Sequence, residues 1–67
     1  MATPGKVIQV KDKKAKIKQP DHEHWVDTSM IDSGVKLGDY VLTYQEAAIN
    51  KISTKQAKEI LTLIAND

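Results

Sequence analysis

Cysteine is absent from all 67 residues, and so is arginine, so every one of the 10 basic side chains is lysine. Without thiols there is no disulfide framework, no thiolate metal site and no cysteine nucleophile. Without guanidinium groups the chain lacks the side chain best suited to bidentate recognition of phosphate or guanine, which argues against nucleic acid as a partner. Aromatic residues are scarce, namely Trp25, Tyr40 and Tyr44. No apolar run approaches the roughly 20 residues of a membrane span, and the N-terminus lacks the apolar stretch of a secretory signal. No membrane partner is therefore expected, and a cytoplasmic location is. The length leaves no room for a two-domain cleft or a dinucleotide-binding fold, since a chain this short buries only about 60% of the surface it exposes when unfolded. What is present, 40% hydrophobic and 28% charged residues, fits one globular domain over residues 1–67 rather than disorder.

Net charge is +1, but the two signs are segregated. The first 18 residues hold Lys6, Lys11, Lys13, Lys14, Lys16 and Lys18 against Asp12 alone. The next stretch holds Asp21, Glu23, Asp27, Asp32, Asp39 and Glu46 against Lys36. Such a basic strip can meet an acidic partner or phosphate. It can also sit beside a strand of opposite charge in the same sheet, and that simpler reading is preferred, because cross-strand ion pairs stabilise a small sheet.

Strands come first along the chain and a helix last. Lys6–Lys11 is rich in β-branched residues and bounded by Pro4-Gly5 and Asp12, which marks a strand. Lys14–Lys18 alternates strictly, with Ala15 and Ile17 facing a core and the lysines facing water. Asp12-Lys13 joins the two as a hairpin. Gln19-Pro20-Asp21 has turn chemistry. A third strand is predicted over His22–Thr28 with Trp25 and Val26 on opposite faces, then a buried link at Met30 and Ile31, a turn at Ser33-Gly34, a strand at Tyr40–Tyr44 and a fifth at Ala48–Ile52. Ser53 and Gln56 have the spacing of a capping box. Ala57, Ile60, Leu61 and Ile64 then form one apolar face of an amphipathic helix over about residues 54–65, expected to close the open end of the sheet. Leu63 lies off that stripe. The fold class is mainly β: a small, OB-like, partly open barrel of five strands at about residues 5–52, with one C-terminal α-helix.

Pro4-Gly5-Lys6-Val7 opening the first strand, followed by Val35-Lys36-Leu37-Gly38-Asp39-Tyr40-Val41-Leu42, Ala48-Ile49 and the C-terminal helix, resembles the HypC/HupF hydrogenase-maturation chaperones over nearly the whole chain. The resemblance implies a small β-barrel that is not an enzyme and works by protein contact. Its partners would be a HypD-like maturation protein and the precursor of a nickel–iron hydrogenase large subunit. Its cargo would be a transient iron–cyanide–carbonyl group rather than a stably bound cofactor.

Two departures from the family pattern fall at positions of chemical weight. Family members begin Met-Cys, and that thiolate is the soft ligand such chemistry requires. Here the chain begins Met1-Ala2-Thr3-Pro4. After the fourth strand, many members have His and a nearby Gly where Tyr44 and Glu46 stand, and a tyrosine does not replace a neutral imidazole ligand near pH 7. The expectation is a chain that keeps the fold and the docking role and does not carry the iron fragment. The docking residues would be Ala2, Thr3, Pro4, Gly5 and Lys6, with Tyr44. On that reading Gly5→Val abolishes docking and leaves the barrel folded.

Other residues were weighed for chemistry. His22 and His24 project from one face of a strand and could hold a metal only with a further ligand from elsewhere; solvated surface histidines are the simpler reading, so no metal site is assigned. Glu23 and Asp27 share a face, without a pocket to make them an acid–base pair. Three aromatics and a lysine strip are the minimum for stacking bases beside a positive groove, and an OB-like nucleic-acid module using Lys14, Lys16, Lys18 and Trp25 is the competing function. A diverged paralogue with another protein client is the third possibility.

Overall fold

The structure, a computed structural model, describes residues 3–65. Five strands and a helix follow in order: β1 (Thr3–Lys11), β2 (Lys14–Lys18), β3 (Glu23–Asp27), β4 (Tyr40–Tyr44), β5 (Ala47–Ile52) and α1 (Thr54–Ala65). The strands form a ring in the order β1-β2-β3-β5-β4, with β4 returning to β1. The fold is thus the mainly β barrel with a C-terminal helix that the sequence leads one to expect, and the ring is closed. All neighbours are antiparallel except β3 and β5, which run parallel and meet at one pair, Asp27 and Ala47. There the Asp27 N–H donates to the Glu46 carbonyl at 2.8 Å. The opening expected from the sequence is reduced to that seam.

Alternation along each strand sorts the side chains. Val7, Ala15, Ile17, Val26, Val41 and Ala48 fill the interior, and Ile31 and Val35 pack against them from the long β3–β4 connection. Val26 is fully buried while Trp25, one residue earlier, is 40% exposed. Met30 departs from expectation. The Ile31 N–H donates to the Thr28 carbonyl, and the resulting turn points Met30 outward, leaving it 65% exposed, so Ile31 alone makes the buried link.

Turn chemistry sets the two hairpins. Asp12 at the β1–β2 turn has φ 55° and Gln45 at the β4–β5 turn has φ 58°. Asp tolerates the left-handed region through local side-chain hydrogen bonding, and Gln is the less usual occupant. The helix starts as predicted: the Gln56 N–H donates to Ser53 Oγ at 3.1 Å and the Ser53 N–H to Gln56 Oε1 at 3.3 Å, a reciprocal cap. The helix lies on β1 and β4. Only Ala57 of its apolar stripe is fully buried; Ile60 and Leu61 are half-buried and Ile64 is exposed.

The strand expected to begin at Lys6 begins at Thr3, and this changes the meaning of Gly5. Gly5 pairs with Val41 of β4, and its Cα faces the interior. A Cβ there would lie 2.7 Å from Ile17 Cδ1 and 3.1 Å from Ile17 Cβ. Ile17 is completely buried and cannot retreat. Pro4 is also buried. It sits where β1 has only β4 as a neighbour, since pairing with β2 starts at Lys6, so its missing N–H breaks no ladder.

Gly5→Val is therefore a test of folding and not of docking. It should destabilise the barrel by about 1–3 kcal/mol through overpacking, with Gly5→Ala milder. Denaturant unfolding of the two variants checks this, with unchanged midpoints as the contrary result.

Candidate partner-docking site

Of the residues expected to dock a partner, Thr3, Pro4, Gly5 and Lys6 form the start of β1, paired with β4. Thr3 is in register with Thr43, Pro4 with Leu42, Gly5 with Val41 and Lys6 with Tyr40. Pro4 and Gly5 are buried, Thr3 is half-buried, and Lys6 and Tyr44 are exposed. Ala2 lies outside the described residues. The part of this segment that a partner can touch is thus Thr3, Lys6 and Tyr44, backed by Pro4 and Gly5.

A buried polar network holds the Thr3 end in place. Gln19 is only 7% exposed and Thr43 only 4%. The Thr3 carbonyl accepts from Thr43 Oγ1 at 3.1 Å and from Gln19 Nε2 at 3.3 Å. The second Gln19 amide hydrogen goes to Thr43 Oγ1 at 3.1 Å. On the other side, His24 Nε2 lies 2.8 Å from Gln19 Oε1. The direction of the chain follows from its end. A backbone carbonyl only accepts, so the Gln19 amide nitrogen must face it. Gln19 Oε1 then faces His24, whose Nε2 must carry a hydrogen and donate. Among the described residues no buried side-chain polar atom lacks a partner, which is the condition under which such a network stabilises rather than costs.

The residue type of Gln19 predicts a turn, and the structure gives it a buried, bridging role instead. The signal is the period-two pattern itself. Ala15 and Ile17 face inward, and Gln19 continues the same phase one step past the end of β2. Thr43 likewise follows inward-facing Val41. A polar residue on the buried phase of a strand requires a partner, and here the two polar residues serve each other.

His24 is thereby committed to Gln19. The His22 ring stacks beside it, with centroids 4.8 Å apart and planes tilted 34°. His22 Nδ1 donates to Asp21 Oδ1 at 2.6 Å, and this hydrogen bond is the main reason the Asp21 carboxyl is held below the usual carboxylate range. Among the described residues no group of three or more His, Cys, Asp or Glu side chains is placed to hold a metal ion. Glu23 and Asp27 are occupied separately. Lys16 Nζ is 3.8 Å from Glu23 Oε1. Asp27 Oδ1 accepts the Ser29 N–H at 2.7 Å, which lowers its proton affinity.

Tyr44 stands at the end of β4 and is 52% exposed. Together with Lys14, Trp25, Asp27 and Glu46 it lines a shallow hollow over the β3–β5 seam. The structure thus places Tyr44 between two features: the strand end carrying Thr3, through its neighbour Thr43, and the exposed face of Trp25.

The model of the HupF/HypC family matches residues 1–64. No curated protein matches the chain.

The network makes a quantitative prediction. Gln19→Leu strands His24 Nε2–H and removes a donor from the Thr3 carbonyl, and should cost about 1–3 kcal/mol. Thr43→Val should cost less. Because both act on one carbonyl, the double variant should be less destabilised than the sum, with a coupling of about 0.5–3 kcal/mol. Urea unfolding of the double-mutant cycle measures it; strict additivity would mean that the two side chains act independently.

Proposed function

The chain belongs to the HupF/HypC family, the hydrogenase-maturation chaperones, and from that premise we propose that it is a docking adaptor that binds a HypD-like protein and a hydrogenase large-subunit precursor without itself carrying iron. It works by binding rather than by catalysis. The observation that carries this reading is the family match over a barrel whose first strand is locked at Thr3 by Gln19 and Thr43. A strand start held in this way makes a defined docking point, because a partner need not order Thr3 on binding. Lys6 and Tyr44 flank it as exposed side chains.

The residues do not suit the family's iron cargo. The sequence has no thiolate, and Tyr44 takes the position where the family pattern has histidine. His24, the one histidine near the Thr3 end of the network, has its Nε2 on Gln19. The proposal is therefore contact without transfer. A cytoplasmic setting fits partners of this kind; among the described residues no helix is long and apolar enough to cross a membrane. The missing cysteine also favours a second reading, a diverged family member with a different protein client.

An affinity capture from source-cell lysate, run with this chain and with a form given a Met-Cys-Leu start, tests these readings. A HypD-like protein or a large-subunit precursor should be retained by both forms, and iron only by the form with cysteine. Tyr44→Ala, whose side chain is outside the core, should weaken capture with the melting temperature unchanged. Retention of neither partner by either form would overturn the hydrogenase reading and leave the paralogue reading standing.

A further inference from the structure

The outer face of the β1–β2–β3 sheet is a grid whose composition is not explained by folding. Register places Lys6, Lys18 and Glu23 side by side in one row, Gln9, Lys16 and Trp25 in the next, and Lys11, Lys14 and Asp27 in the third. Two of these rows set lysine directly opposite lysine across β1 and β2, an arrangement that destabilises a sheet. The acidic strand β3 relieves it only in part. Among the described residues, the one ion pair on this face is Lys16 with Glu23 at 3.8 Å. Lys11 and Lys14 are exposed and, among the described residues, make no such pair, although the Lys14 charge acts on Asp27 across the strands. Beside them on β3, in register with Lys16, stands Trp25, 40% exposed. A shallow hollow bounded by Lys11, Asp12, Lys14 and Trp25 opens on one side of its ring.

We propose that this face binds an acidic, extended segment of a protein, with its carboxylates on Lys11, Lys14 and Lys16 and an apolar side chain on Trp25. The spacing fits an extended occupant. Lys14 and Lys16 are two residues apart on one strand, about 6.6–6.8 Å, the same repeat that separates alternate side chains of an extended peptide. Charge complementarity selects an acidic one, which would neutralise the lysine pairs that the barrel itself leaves opposed. A nucleic-acid strand fits less well. Bases stacked on Trp25 would carry their phosphates along β3, past Glu23 and Asp27, where like charge repels them, and no arginine is present to grip phosphate bidentately. A peptide can change the sign of its side chains from one residue to the next. This surface borders the hollow that Lys14 and Trp25 share with Tyr44 but lies apart from the Thr3 end of β1, and its test with synthetic peptides does not depend on which protein docks there.

Trp25 is the only tryptophan, so its fluorescence reports on this face alone. The full chain would be titrated with a synthetic peptide of alternating Glu and Leu, with a peptide of alternating Lys and Leu, and with oligothymidylate. The acidic peptide should give a saturable change in Trp25 emission whose affinity falls with salt, and the basic peptide should give none. The double substitution Lys11→Gln and Lys14→Gln should weaken the acidic peptide about tenfold or more. That variant should melt no lower than the parent, because it removes an opposed lysine pair. Loss of binding is then not loss of fold. Three results would each overturn the proposal: no saturable response to the acidic peptide, the same affinity in the double variant, or tighter binding of oligothymidylate than of the peptide.

Discussion

The contact of the β1 backbone at Gly5 with the side chain of Ile17 sets the dimensions of this barrel. Five strands enclose a narrow interior, and the residues that fill it are small: Ala15 and Ala48, with Val7, Val26 and Val41 around a single Ile17. With a Cβ position only 2.7 Å from Ile17 Cδ1, glycine is what lets β1 come close enough to pair with β4 and complete the ring. Once that approach is made, the register from Thr3 to Lys6 against β4 follows, and so does the position of everything attached to it.

Apolar packing cannot seal the end of the barrel where β1 begins, because the backbone there still needs hydrogen-bond partners. Gln19 and Thr43 supply them from inward-facing positions, and His24 closes the chain of donors. The same few side chains thus finish the core and hold the start of β1. If the Thr3 end docks a partner as proposed, function and stability are joined there, whereas on the lysine face the proposed function and the stability of the sheet oppose one another. Like charges stand in register there with little relief from the fold, as expected where a surface serves a partner more than its own sheet.

Much of this was legible in the residues. Strict alternation in Lys14–Lys18 put Ala15 and Ile17 inside, and the 3.6-residue period after Ser53 announced a capped helix. What escaped was where each pattern stops. Pro4-Gly5 looked like a boundary, because both residues are rare in strands. The structure makes them the opening of β1, since Pro4 has a neighbour on one side only and Gly5 is needed for close approach. Gln19 looked like a turn for the same reason, its type outweighing its phase. Of the site, Thr3 and Tyr44 came to notice through a resemblance to a family. Their connection through Thr43 depends on β1 pairing with β4, a long-range register that composition does not reveal.

The ring is not equally strong around its circumference. Each antiparallel neighbour is joined by a ladder several residues long, but β3 and β5 share one pair. A fluctuation that parts them breaks one short bridge, that of Asp27 and Ala47 with the Asp27 N–H on the Glu46 carbonyl. All other interfaces would have to unzip along their length. Local opening is easiest where protecting hydrogen bonds are fewest. The barrel therefore behaves mechanically as a split collar, stiff along four joints and sprung at the fifth, with Trp25 mounted on one lip and Tyr44 beside the other, at the end of β4.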